Sequence, residues 1–285
     1  MNNIITIVTP SLNQGQFLEQ AILSVVSQAG PFSIDYIIED GGSTDQSLEI
    51  IKKYDEIIKR KQLTIKCRGI KYRWRSGKDS GQANAINRGL MIADGDILAW
   101  LNSDDYYQID CFSKVIKFFS EHQGIDLLYG NCIEVNQITG KVTPMEVIEG
   151  DYNKFLVEGL VLPQPATFFT RNIFEQVGKI SEEMHHSFDY DFFLRIAKKG
   201  AVKYIPEDLA FFRLWPESKT FKQKEKFLRD EKIIRKKFGG SLINPISIHR
   251  LRLKFPLLEQ IKIKTPAVYY MFKRIVYWIN SLFHY

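Results

Sequence analysis

Hydrophobic positions in the first third of the chain alternate between two rhythms. Ile4 to Thr9 is a continuous, largely β-branched run, the kind a parallel strand buried on both faces requires, and Pro10 ends it. Between Asn13 and Gln28, the residues Phe17, Ala21, Ile22, Val25 and Val26 stand near helical spacing. Tyr36 to Glu39 predicts a second strand, closed by Asp40, Gly41 and Gly42, after which Ser43 and Asp45 offer N-caps for a helix through Leu48, Ile51 and Tyr54. Thr64 to Arg75 reads as a third extended segment and Gly81 to Ala93 as a third helix, with Ala83, Ala85, Ile86, Leu90 and Ile92 as its apolar positions. Ile97 to Leu101 is a fourth strand, broken by Asn102, Ser103, Asp104 and Asp105. This β-α-β-α order predicts an α/β protein with a mostly parallel open sheet, flanked by helices, that takes ligands at the carboxyl ends of its strands.

Beyond that point the pattern is less regular. Leu127 to Tyr129 is a strand candidate, and Glu134 to Glu149 resembles a hairpin around Thr139 and Gly140. A helix with Phe192, Phe193, Leu194 and Ile196 follows Asp189 and Asp191 and ends at Gly200; Lys222 to Lys237 reads as a charged, solvated helix.

With 285 residues, 45% hydrophobic and 25% charged, the chain has ample material for a core, which excludes disorder. The net charge of +6 is unevenly distributed: 15 basic and 4 acidic residues lie from Lys222 to Tyr285, leaving 24 basic and 29 acidic residues before them. A slightly acidic body (1–221) with a basic extension (222–285) fits an enzyme attached to an anionic surface better than a nucleic-acid binder. Cys67, Cys111 and Cys132 stand far apart and make neither a disulfide framework nor a thiolate zinc site. The N-terminus lacks the pattern of a signal peptide, so the expected location is cytoplasmic.

Candidate chemistry collects where the strands end. At Asn102-Ser103-Asp104-Asp105 an apolar strand delivers adjacent carboxylates whose repulsion calls for a cation, and hard oxygen ligands suit Mg²⁺ or Mn²⁺ shared with a diphosphate. A turn or helix cap is the plainer reading of the same residues. Glu39-Asp40-Gly41-Gly42-Ser43-Thr44-Asp45 places a carboxylate before glycines that admit a ligand to the backbone. Thr9, Pro10 and Ser11 end the first strand, and Asp79, Gln82, Asn84 and Asn87 surround Gly81.

These four segments, in this order, resemble family-two glycosyltransferases of the GT-A (Rossmann-like) fold, most of all the bacterial enzymes that build capsule, exopolysaccharide or lipopolysaccharide. The resemblance covers roughly the first 220 residues. It implies a metal-dependent inverting transfer of sugar from a nucleotide-sugar donor, usually a UDP-sugar, to a hydroxyl of a lipid-linked or growing saccharide. Thr9, Pro10 and Ser11 would then border the nucleotide, Asp40 would hold the base, and Asp79 and Asn87 would lie near the nucleotide or donor sugar. Asn102-Ser103-Asp104 corresponds to the family's D-x-D motif with Asn in its first place, so that Asp104 and Asp105 keep the metal-binding charge. Phe188-Asp189-Tyr190-Asp191 resembles the segment holding the catalytic base, with Asp189 as that base and Asp191 as second choice. Pro163-Gln164-Pro165-Ala166-Thr167-Phe168-Phe169 would line the acceptor side. Arg213-Leu214-Trp215-Pro216-Glu217-Ser218-Lys219 matches a loop over the diphosphate in which Trp215 replaces a His; indole cannot ligate a metal, so Arg213, Ser218 or Lys219 would serve instead. His185 and His186 read as exposed loop residues.

The C-terminal extension interleaves cations with Tyr269, Tyr270, Phe272, Tyr277, Trp278, Phe283 and Tyr285, in a pattern suited to peripheral attachment on the inner face of the cell membrane. A helix packed on the catalytic body, or on a second copy in a homo-oligomer, is the alternative. Two competing functions remain: a transferase charging a polyprenyl phosphate, and a nucleotide-sugar binder that has lost catalysis, the latter motivated by Asn102, Phe188 and Trp215. No nucleic-acid partner is expected.

Overall fold

The computed structural model describes residues 3–159 and 162–240, together with 268 and 271. The aromatic part of the basic extension therefore lies outside the described residues. The predicted alternation appears as β1 (Ile4–Ser11), α1 (Gly15–Val26), β2 (Ser33–Asp40), α2 (Ser47–Lys59), β3 (Gly69–Ser76), α3 (Gln82–Met91) and β4 (Ile97–Trp100). Then come β5 (Tyr106–Tyr107), α4 (Cys111–Glu121), β6 (Leu127–Asn136), β7 (Val142–Pro144), α5 (Tyr152–Glu158) and a short 3-10 turn at Gln164–Ala166. The rest comprises β8 (Thr167–Thr170), α6 (Arg171–Val177), α7 (Phe188–Lys199), β9 (Val202–Leu214), α8 (Lys219–Lys222) and α9 (Lys224–Lys237).

The strands form one sheet in the order β3-β2-β1-β4-β8-β6-β9-β5, with β7 paired to β6. Its first four strands are parallel, as expected, but β8 runs antiparallel to both β4 and β6, and β5 antiparallel to β9. Beyond β4 the sheet is therefore mixed rather than mostly parallel. The long strand β9, which continues the sheet beside β6, carries no sustained period-2 signal: Pro206, Glu207 and Asp208 interrupt it midway, so it escapes a reading by hydrophobic rhythm. The hairpin around Gly140 is present as β6 and β7, with Val135 opposite Val142 and Gly140 at φ +70°.

Alternation along the parallel strands sends side chains to opposite faces. Ile5, Ile7, Tyr36, Ile38 and Ala99 pack with Leu18, Ile22 and Val25 of α1 and Phe112 and Val115 of α4 on one face. Val8, Ile37, Leu98 and Trp100 meet Ile86 and Leu90 of α3 and Phe188, Phe192 and Phe193 of α7 on the other. Three layers result, and both faces of β1, β2 and β4 are dry, which explains their apolar runs, whereas β3 at the sheet edge is only partly buried.

The caps differ from the expected local ones. Asp45 does accept from the Ser47 N–H at 2.9 Å, but its other oxygen takes the Gly15 N–H at 2.8 Å, so it ties the start of α2 to the start of α1. Helix α9 is also less solvated than its composition suggests, because Ile234 is fully buried against the α7 layer. No described helix is long and apolar enough to cross a membrane.

Helix α3 lies close on β1 because Gly89 permits it: a Cβ there would come within 2.5 Å of Val8 Cγ1. Gly89→Ala should therefore cost about 1–3 kcal/mol through overpacking. Gly69, which has nothing within 4 Å of such an atom, serves as the control in urea unfolding, where Gly69→Ala should stay near wild type.

Candidate active site

In the sheet order, β2 and β3 extend to one side of β1 and β4 lies on the other, so the chain reverses its winding between β1 and β4. The carboxyl ends of those two strands flank the crevice in which open α/β sheets bind ligands. Register brings the candidate residues together there. Ser11 pairs with Asp40, Asp40 with Ser76, and Val8 with Trp100, so 102–105 leave the sheet beside the end of β1.

Asp40 is buried, and its carboxylate is well occupied. It accepts from the Gly42 and Ser43 N–H groups at 3.1 and 3.0 Å, from Ser76 Oγ at 2.6 Å, and from Ser43 Oγ. Gly41 comes so near Asp79 that a Cβ would sit 3.0 Å from Asp79 Oδ2, while Asp79 Oδ1 receives the Gly81 N–H and starts α3. Ser11 Oγ is buried with no hydrogen-bond partner among the described residues, an orphaned polar atom at the mouth of the crevice. Two other predicted residues face inward. Thr9 shares a buried hydrogen bond with Tyr36 Oη at 3.1 Å, and Pro10 is buried in β1. Asn87 exchanges hydrogen bonds with both backbone groups of Ile180 and donates to Glu182 Oε1 at 2.8 Å, clamping the loop that leads into α7.

The segment 102–105 forms a turn, closed by the Asp105 N–H to the Asn102 carbonyl at 3.0 Å, as the plainer reading allows. It is more than a turn. Asn102 accepts from Gln82 Nε2 at 2.8 Å and donates to Gln164 Oε1 at 3.0 Å and Asp105 Oδ2 at 3.3 Å. An aspartate there could not donate and would add a third carboxylate to the cluster. Ser103 is buried beside it. Asp105 is 1% exposed, its Oδ1 takes the Arg213 N–H at 2.9 Å, and burial together with the adjacent Asp104 charge pushes its carboxyl well above the usual range. Asp104, half-buried, is also raised, chiefly by desolvation.

The Arg213–Lys219 segment meets this pair directly. Arg213 is 4% exposed and lies 4.3 Å above the Phe17 ring; it donates to the Asp104 carbonyl at 2.6 Å and to Gln20 Oε1. Trp215 Nε1 donates to Asp104 Oδ2 at 2.9 Å. Lys219 Nζ bonds Gln82 Oε1 at 2.8 Å, and the fields of Asp104 and Asp79 act on it. Trp215 cannot ligate a metal, yet it reaches the carboxylate that would.

Among the described residues no three His, Cys, Asp or Glu side chains converge on one point. The donor set nonetheless fits a hard cation that takes one or two protein carboxylates and draws its remaining ligands from phosphates and water. The indole takes Asp104 Oδ2, and burial raises the proton affinity of both carboxylates, with the Asp104 charge adding to it at Asp105.

Helix α7 brings the last candidates. Its aromatic residues dock on Trp100, which stacks on Phe193 with centroids 5.3 Å apart and planes at 12°, and also meets Phe188 and Phe192. The first turn of α7 is thereby held against the strand that delivers 102–105. Asp189 lies in that turn, receiving the Tyr190 N–H at 2.9 Å, and no cation among the described residues pairs with it. Burial, and then the negative field of Glu231 on α9, pushes its carboxyl up to about 7. Asp191 differs: it is fully buried and pairs with Arg195 at 2.9 Å and Lys237 at 2.7 Å. Sequence reasoning placed Glu231 in a solvated helix, and no local signal shows that it faces a residue forty positions upstream. His186, read as an exposed loop residue, is half-buried, with Nε2 against Gln223 Oε1 and Nδ1 3.5 Å from Asp230 Oδ2.

With this geometry in place, similarity to known proteins identifies the family. Residues 6–202 match Glycosyl transferase family 2, and the chain belongs to that family. A PGL/p-HBAD biosynthesis glycosyltransferase of Mycobacterium tuberculosis is 28% identical over 201 residues, 69% of this chain and 71% of its own. Among solved structures, S. aureus TarS superposes with a TM-score of 0.60 at 17% identity over 81% of this chain, which spans only 38% of TarS. The mannosyltransferase PcManGT from Pyrobaculum calidifontis, in complex with GDP-Man and Mn²⁺, matches with a TM-score of 0.55 at 14% identity over 75% of this chain and 58% of its own. These likenesses agree with a GT-A fold.

Since the two carboxylates of α7 differ in pairing, they should separate experimentally. Asp191→Asn leaves Arg195 and Lys237 without their anion and should lower unfolding free energy by about 2–3 kcal/mol in urea titration. Asp189→Asn should show no such loss.

Proposed function

We propose that this chain moves a sugar from a nucleoside diphosphate sugar, with a UDP-sugar as first choice, to a hydroxyl of a lipid-linked or growing saccharide, with inversion at the anomeric carbon, in the synthesis of a cell-surface polysaccharide. The observation that carries this reading is Asp189: a carboxylate with no cation partner among the described residues, on the helix that packs against the strand leading to the acidic turn, with a proton affinity near neutrality. A general base works best with a pKa near the operating pH. In the transfer, the acceptor oxygen forms a bond to the anomeric carbon while the bond from that carbon to the diphosphate breaks, and Asp189 takes the hydroxyl proton. Asp191, with both oxygens on cations, serves α7 and α9 instead.

For the donor, Ser11, Asp40 and Asp79 would face the nucleoside, with Ser11 Oγ supplying an unused hydrogen-bonding group. Asn102 would meet the ribose and Asp104 the diphosphate side; Thr9, Pro10, Asn87 and Ser103 would hold these residues in place from behind. Mn²⁺ or Mg²⁺ bound at Asp104, with Asp105, would stabilise charge on the leaving diphosphate. Arg213 and Lys219 add positive charge on the same side. TarS 1-349 has been solved with UDP-GlcNAc and PcManGT with GDP-Man and Mn²⁺, which supports this choice of donor class and ion. Attachment of the enzyme to the inner face of the membrane through the aromatic extension is part of the same reading.

Four measurements test it. Asp189→Asn should lower kcat by on the order of 10²–10⁴, and wild-type kcat/KM should rise with pH through about 7 as the base ionises. The raised carboxyl favours the folded state below the unfolded pKa of roughly 4, and that advantage is lost as pH rises through about 7. Asp189→Asn should therefore gain stability relative to wild type between roughly pH 5 and pH 8. In a donor panel assayed with Mn²⁺, Asp104→Ala combined with Asp105→Ala should abolish metal-dependent turnover; undiminished activity would remove both residues from the site.

A further inference from the structure

Helix α9 has two unlike faces. Its inner face closes over the first turn of α7: Ile234 is fully buried, Lys237 reaches Asp191, Ser187 Oγ donates to the Phe227 carbonyl at 3.4 Å, and His186 packs edge-on against Phe227. The outer face presents Arg229, Lys232 and Lys236, spaced three and four residues apart, with Lys226 also exposed. Among the described residues, Lys222, Lys232 and Lys236 form no ion pair, and the carboxylate near Arg229 is that of its chain neighbour Asp230, at 3.8 Å. Apolar side chains stand among these cations. Ile233 is 53% exposed and Leu228 37%, and on the adjoining α8 Phe221 is 53% exposed next to Lys222.

A helix face that only needs solubility mixes charges of both signs and pairs them along its turns. Here the segment from Lys222 to Gly240 carries eight Lys or Arg against three Asp or Glu, and two of those three, Asp230 and Glu231, turn toward the protein. Cations interleaved with large apolar side chains match a surface that is anionic at its headgroups and apolar just beneath them. A nucleic-acid backbone would use the cations but leave Phe221, Leu228 and Ile233 without a partner.

We propose that the outer face of α8 and α9 docks on an anionic lipid bilayer, with α9 as the spacer between that surface and Asp189. An α-helix is about 10 Å across, so docking this face would hold the base close to the headgroups, where the sugar of a lipid-linked acceptor stands. The docking surface lies in the first part of the basic extension, where α9 packs on α7, and is separate from the aromatic residues that begin at Tyr269. The role given to the spacing, but not the docking itself, rests on the reading of Asp189 as base.

The test uses the full chain, sedimented with vesicles of phosphatidylcholine alone or of phosphatidylcholine with phosphatidylglycerol. Wild type should bind the anionic vesicles, weakly bind the zwitterionic ones, and lose affinity as salt rises. Arg229→Gln with Lys232→Gln and Lys236→Gln should weaken binding by on the order of a hundredfold. Phe221→Ser with Ile233→Ser should remove the part that survives high salt. Lys232→Gln with Lys236→Gln is the milder version if the triple variant melts early. All should keep wild-type transfer to a soluble saccharide acceptor. Equal vesicle binding by the triple variant and wild type would assign attachment to the extension alone and overturn the proposal, as would binding indifferent to phosphatidylglycerol. Loss of concentration-dependent dimerisation in these variants, without vesicle binding by wild type, would assign the face to a second copy and also overturn it. Failure of wild type to transfer sugar at all would count against the proposed function and leave the vesicle result standing.

Discussion

The packing of α7 on Trp100 is the contact on which the site depends. Trp100 is 1% exposed at the end of β4, immediately before the residues that leave the sheet as an acidic turn. Its indole stacks on Phe193 and meets Phe169 edge-on, while Gln164 Nε2 bonds its carbonyl at 2.8 Å and then holds Asn102. One side chain therefore fixes two things: where the 102–105 turn points, and where the first turn of α7 lies. Large aromatic residues suit this role because they combine wide contact area with few rotatable bonds. In the proposed transfer the sheet would carry the donor side of the site and α7 the acceptor side, with Trp100 between them.

Around that contact the site is organised by unequal treatment of similar carboxylates. Asp191 is buried with a cation on each oxygen, which makes it the anchor of a helix pair, while Asp40 and Asp105 are buried and take hydrogen bonds that fix a strand end and a turn. Asp104 and Asp189 form no ion pair among the described residues, and each accepts a hydrogen bond from a neutral donor. The donors that spare Asp104 from full neutralisation are themselves placed with economy: the Trp215 indole takes one oxygen, while Arg213 turns to the Asp104 carbonyl and to Gln20 rather than to the carboxylate. Charge is thus crowded where a cation and a diphosphate would relieve it, and proton affinity is raised where a base needs it. The same composition with its hydrogen bonds redistributed would be an ordinary set of caps.

Helix α9 extends this logic outward. Asp191 joins α9 to α7 through Lys237, and Glu231 on α9 adds to the effect of burial on the proton affinity of Asp189, so a segment beyond the 6–202 family match shapes the environment of the proposed base. Its opposite face is basic and apolar. The charge asymmetry read along the chain therefore acquires an orientation: the exposed basic side chains of α9 stand opposite the face that packs on the α7 layer.

The amino-acid sequence by itself determined the alternating α/β order, the two-sided burial of β1, β2 and β4, and the motifs at the strand ends, because each depends on local periodicity or on a few adjacent residues. It also nominated Asp189, through a motif and not through its chemistry. Several features had no local sign. Strand β9 depends on pairing with β6, more than sixty residues away, and the Pro206-Glu207-Asp208 interruption hides it. The inward commitment of Thr9 and Asn87, the indole bond from Trp215 to Asp104, and the difference between Asp189 and Asp191 all depend on partners distant along the chain: Tyr36, Ile180, Asp104 and Lys237. Residue type says what a side chain can bind; only tertiary structure decides which groups stand within hydrogen-bonding reach. Tertiary structure also sets how far water is excluded, and these two quantities separate a carboxylate that anchors from one that reacts.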